Sequence, residues 1–124
     1  MSGKKVLIID DDTAIVESLR ILLSVKGYET ATAHDGEEGI SKAREFRPGV
    51  ILLDLILPKR DGFDIYRELK KDPATEGARV IFLSSFAEMP DLPSGEGIED
   101  EITSDMFMPK PIDPGKLLEK LAGM

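Results

Sequence analysis

Five residues whose types could do chemistry stand where short apolar runs stop. Asp10 and Asp11 follow Val6-Leu7-Ile8-Ile9, Asp54 follows Val50-Ile51-Leu52-Leu53, and Ser84 follows Val80-Ile81-Phe82-Leu83. Lys110 comes closely after Met106-Phe107-Met108. Three carboxylates brought together repel one another and raise at least one pKa unless a cation lies among them. Donors that are all oxygen, with no His or Cys beside them, suit a hard divalent ion, Mg2+ or Mn2+. A carboxylate can attack phosphorus in line to give an acyl phosphate, while a cation and a lysine neutralise charge on the transferring oxygens. Any one polar residue at a strand end is ordinary; five of these types meeting at one edge of a sheet are not.

The elements that must position these residues are legible as alternating periods. The runs at 6–9, 50–53 and 80–83 are short and wholly apolar, as buried parallel strands are. Residues 28–33 read as a half-polar strand suited to a sheet edge, and Met106-Phe107-Met108 as a short fifth strand. Between the strands lie helical stripes. One over 14–26 carries Ile15, Leu19, Leu22 and Leu23, with Asp12 or Thr13 as cap and Gly27 as stop. Another has Asp35 and Glu38 as a capping box ahead of Ile40, Ala43 and Phe46. A third uses Phe63, Tyr66 and Leu69, and the last, opened by Asp113-Pro114, uses Leu117, Leu118 and Leu121. This alternation predicts an α/β fold, a doubly wound, mostly parallel five-stranded sheet with right-handed crossovers. Ligands of such sheets sit beyond the C-terminal strand ends, where the five residues are.

Composition narrows the function classes. A chain of 124 residues suits one domain, here 1–124, with a single core. A net charge of −8 argues against direct binding of a nucleic-acid backbone by this chain. No apolar run approaches a membrane span, and Asp10, Asp11 and Asp12 interrupt any signal-peptide core, so no membrane insertion and a cytoplasmic location are expected. With no cysteine there is neither a disulfide framework nor a thiolate metal site. The one histidine, His34, reads as a loop or surface residue and not as a phosphotransfer group. The stretch 86–105 breaks the pattern: Pro90, Pro93, Gly95 and Gly97 oppose a helix. From Glu88 to Asp105 it carries Glu88, Asp91, Glu96, Glu99, Asp100, Glu101 and Asp105 without a Lys or Arg, a solvated face or a surface for a basic partner.

Taken together, "VLIIDDD", "ILLDLILPKRDGFD", "VIFLSS" and "MPKPI" resemble the bacterial response-regulator receiver domain essentially from end to end. The resemblance implies the flavodoxin-like strand order 2-1-3-4-5, of which receiver proteins are themselves an established example among doubly wound sheets. It implies that Asp54 is phosphorylated by a histidine kinase or histidine phosphotransfer protein, and that the change controls a downstream protein target. Asp10, Asp11, Asp54 and the backbone carbonyl of Ile56 would hold Mg2+ or Mn2+. Ser84 would be the switch hydroxyl, Lys110, before a cis Lys-Pro bond, the pairing lysine, and Phe107 the rotating aromatic. The expected chemistry is Mg2+-dependent self-phosphorylation with slow self-dephosphorylation, because the positions that tune the lifetime carry Ile56 and Phe86, neither able to orient a water by hydrogen bonding.

The sequence departs from the family at Lys59, where a small residue usually follows the proline, and at 86–105, which replaces most or all of the usual fourth helix. Other readings start from the same residues or the same fold. A receiver-like interaction domain not regulated by phosphorylation would keep the fold and drop the chemistry. An aspartyl phosphatase would share the nucleophile, but Leu55-Ile56 leaves no D-x-D arrangement at Asp54. A flavodoxin-like cofactor binder would want a Ser/Thr/Gly-rich phosphate loop where three Asp stand. A free-standing signalling protein is expected over a fragment of a larger regulator.

Overall fold

The computed structural model describes residues 4–85, 102 and 106–124. In chain order the elements are β1 (Lys5–Ile9), α1 (Thr13–Val25), β2 (Glu29–Ala33), α2 (Gly36–Phe46), β3 (Val50–Asp54), α3 (Gly62–Lys71), β4 (Arg79–Ser84), β5 (Phe107–Pro109) and α4 (Pro114–Ala122). All strand pairs are parallel and the order is β2-β1-β3-β4-β5. The half-polar β2 is therefore an edge strand, as its sequence suggests, and β1, β3 and β4, with their apolar interiors, are central.

Alternation along the central strands sorts the core into two faces. Leu7, Ile9, Ile51, Leu53, Val80 and Phe82 pack on the side of α2 and α3. Val6, Ile8, Val50, Leu52, Ile81 and Leu83 pack on the side of α1 and α4. On α1 the deepest residues are Val16, Leu19 and Leu23, while Ile15 and Leu22 are only partly buried. The expected stripe is thus rotated by about one position, because the helix turns its face to fit the sheet.

The helix ends follow local chemistry. Asp12 caps α1 by accepting from Ala14 and Ile15 N–H, and Gly27, with φ 93°, follows its end. Asp35 caps α2 through Glu38 N–H, while Glu38 Oε1 accepts from His34 N–H at 2.8 Å, one residue before the cap. Asp61 and Asp113 cap α3 and α4, the latter followed by Pro114. Of residues 86–105 only Ile102 is among the described residues, and it is buried in the core beside α2 and α3. The expectation about the fourth helix lies otherwise outside the described residues, as does Phe86. Among the described residues no helix is long and apolar enough to cross a membrane.

Candidate functional site

Parallel pairing brings the acids together. β1 and β3 are in register through Ile9 and Leu53, so Asp10 and Asp54 are the next residues on adjacent strands. Both share the parity of Val6, Ile8, Val50 and Leu52, so they leave the sheet on one side. Asp11, exposed at the β1–α1 junction, completes a group whose ligand oxygens lie within 4.8 Å of one another. Asp10 is fully buried and Asp54 is 3% exposed.

Lys110 reaches this group from the end of β5. Its Nζ donates to Asp54 Oδ1 at 3.2 Å and lies 3.1 Å from Asp10 Oδ2. Its backbone N–H donates to the Ser84 carbonyl at 2.8 Å, which ties β5's end to β4, and the Lys110–Pro111 bond is cis. Asp10 Oδ1 accepts from Asp12 N–H at 2.9 Å, whereas Oδ2, although paired with the lysine charge, receives no well-formed hydrogen bond. Asp54 Oδ1 also faces Ile56 N–H at 3.4 Å.

The electrostatics follow from this crowding. Burial, then the charge of Asp10, pushes Asp54 up to about 7, although Lys110 and the Ile56 N–H pull the other way. Burial draws the Lys110 ammonium down, but its contacts with Asp10 and Asp54 outweigh that and leave it above its ordinary value. Counting three ionised carboxylates against one ammonium leaves a formal charge of −2, matched by a divalent cation. A buried carboxylate oxygen that receives no well-formed hydrogen bond, in an all-oxygen cluster of this size, fits a hard ion such as Mg2+.

The remaining predicted residues lie at different depths. Ser84 is fully buried, and its hydroxyl donates to the Ser85 carbonyl at 3.1 Å. Phe107 is buried too, stacked on Phe82 with centroids 5.2 Å apart and edge-on to Phe63. Ile56 is 53% exposed at the mouth of the cluster, on the loop between β3 and α3, where it bridges Asp61. His34 is exposed after β2, as expected of a surface residue.

Sequence reasoning gave no role to Arg60, on the same loop. Its three guanidinium nitrogens contact Asp64, Glu37 and Glu68, each at 2.7 Å. The pairing with Asp64 is an i,i+4 spacing that could have been read from sequence. The link to Glu37 ties the loop to another helix and could not.

The family described as the response regulator receiver domain matches residues 6–122. The chain is similar to the DNA-binding dual master transcriptional regulator RpaA of a Synechocystis species, 34% identical over 97% of this chain and 48% of that protein. It is similar to the DNA-binding response regulator MtrA of Mycobacterium tuberculosis, 32% identical over 95% of this chain and 49% of that one. It thus spans about half the length of these curated relatives. A CheY-like response regulator receiver domain protein from Methanospirillum hungatei has the same fold with a TM-score of 0.78. Its sequence is 27% identical, covering 98% of this chain and 93% of that structure.

Proposed function

The chain belongs to the response regulator receiver domain family, and from that premise we propose that Asp54 takes a phosphoryl group from a phosphohistidine on a histidine kinase or histidine phosphotransfer protein. Receivers of two-component response regulators switch by phosphorylation, and this is the general function of the chain. The observation that carries the assignment to Asp54 is its place among Asp10, Asp11 and Lys110. It is a buried carboxylate at a strand end, with acids within 4.8 Å and an ammonium at 3.2 Å.

In the proposed step an Asp54 oxygen bonds to phosphorus as the bond from phosphorus to the donor imidazole nitrogen breaks. That nitrogen keeps the electron pair, and the product on this chain is an acyl phosphate. Lys110 holds Asp54 in place and faces the oxygens of the incoming group. Mg2+ or Mn2+ at Asp10, Asp11, Asp54 and the Ile56 carbonyl would supply the remaining charge neutralisation. For the switch, the Ser84 hydroxyl gives up the Ser85 carbonyl and turns to the phosphoryl oxygens, and Phe107 repacks against Phe82 and Phe63. A downstream protein then binds the altered surface. No nucleic-acid contact is assigned to this chain, whose net charge is −8.

The test is transfer of label from an autophosphorylated histidine kinase or a phosphorylated histidine phosphotransfer protein in Mg2+. The chain should acquire label that hydroxylamine removes, as it cleaves acyl phosphates. Label resistant to hydroxylamine, or none from any phosphohistidine donor, would favour a receiver-like interaction domain that phosphorylation does not regulate.

A further inference from the structure

Resting on the metal reading above, we infer that Arg60 is a positioning residue that fixes the spacing between the two halves of the acidic cluster. One half, Asp10 and Asp11, ends β1; the other, Asp54 and Ile56, ends β3 and opens the following loop. Sheet pairing between them stops at Ile9 and Leu53. Beyond it Lys110 bridges Asp10 and Asp54, and Leu55 N–H ties the end of β3 to the Leu83 carbonyl of β4 at 3.0 Å. That leaves the tip of the loop to be tied to the β1–β2 side by side chains.

A ring of short links does so. Asp10 N–H donates to the Ala33 carbonyl at 3.1 Å, tying the end of β1 to the end of β2. From there the chain runs through His34 and Asp35 into α2, whose first turn carries Glu37. Glu37 pairs with Arg60 Nη1, and the loop returns from Arg60 to Ile56 and Asp54. Nε on Asp64 and Nη2 on Glu68 lock the same guanidinium to α3, with 21% of the side chain exposed. A planar fork can reach three carboxylates at once; the single ammonium of a lysine cannot hold this geometry. The loop has reason to be held, since Lys59 stands at φ 71° beside Arg60.

Exposed ion pairs are individually weak, so the effect on metal affinity should be modest, about two- to fivefold. Its sign separates positioning from bulk charge. By charge alone, Arg60→Gln would tighten a cation and Arg60→Lys would leave it unchanged. By positioning, both weaken it.

The experiment is calorimetric titration of the full chain with Mg2+ alone, near physiological salt, with urea unfolding of each metal-free variant alongside. Arg60→Lys and Arg60→Gln should each weaken Mg2+ about two- to fivefold, as should Glu37→Gln. Adding Glu37→Gln to Arg60→Gln should weaken it little further, because both break one link. Unchanged or tighter binding in Arg60→Lys and Arg60→Gln overturns the inference, whatever urea shows. Arg60→Lys keeps the question answerable if Arg60→Gln does not fold. Absence of Mg2+ binding by wild type removes the metal reading and this inference together. Equal binding by wild type and variants removes only the role of Arg60.

Discussion

Asp54 carries the sharpest consequences at the scale of single residues. Burial and Asp10 raise its pKa from 3.8 to about 7 without a cation. A group with a raised folded pKa supports the fold below its unfolded value and loses that contribution as pH rises through the folded one. Metal-free protein should therefore lose stability through Asp54 between the two values, and Asp54→Asn should remove that slope and be the more stable at pH 8. Millimolar Mg2+ should restore wild type, by roughly 2.7 kcal/mol at a hundredfold excess over its Kd, and leave Asp54→Asn nearly unmoved. Thermal unfolding at pH 5 and pH 8, with and without Mg2+, checks all of this, and equal slopes in the two proteins would contradict it. Under the proposed phosphorylation of Asp54, Ile56 is expected to bear on the lifetime of the phosphoryl group. Half-exposed and apolar at the mouth of the cluster, it cannot hold a water in line with phosphorus. Ile56→Asn should speed loss of phosphoryl on the order of tenfold, less than full general-base assistance supplies. A wild-type decay as fast as that of the variant rules out shielding by Ile56.

Among the elements, the loop from β3 to α3 is the most constrained. A Cβ at Gly62 would meet the Asp54 carbonyl oxygen at 2.8 Å and Leu55 Cα at 2.9 Å, both backbone atoms that cannot step aside. Lys59, three residues earlier, sits at φ 71°, a region that glycine enters without strain. Urea unfolding should therefore give opposite signs. Gly62→Ala should lose about 1–3 kcal/mol as an overpacked site does, and Lys59→Gly should gain up to about 1 kcal/mol from relieved strain. Two losses would show that the Lys59 side chain makes contacts that outweigh its backbone. The strands β1, β3 and β4 were plain in the sequence because burial on both faces fills their interiors with Val, Ile, Leu and Phe. The precise face of α1 was not, since Ile15 and Val16 are both apolar and only packing chooses Val16. Likewise the Arg60–Glu37 link joins residues 23 apart, a distance over which no local period speaks.

For the molecule as a whole, topology is what turns scattered acids into a site. Because the order is β2-β1-β3-β4-β5, β1 and β3 are neighbours, and Asp10 meets Asp54 although β2 and two helices intervene in the chain. That meeting was foreseeable from acids at strand ends together with the rule for parallel sheets. The rotamers of the two residues proposed as the switch were not: the turn of the Ser84 hydroxyl to Ser85 and the inward stacking of Phe107 are choices that composition does not encode. The central claim is that this assembly makes Asp54 a phosphoacceptor, and intact mass after treatment with a small phosphodonor in Mg2+ tests it most directly. Wild type should gain the mass of one phosphoryl group, and Asp54→Asn, folded by the unfolding measurements above, should gain none. A wild type that stays unmodified, or an Asp54→Asn variant that still takes up the group, would contradict the account.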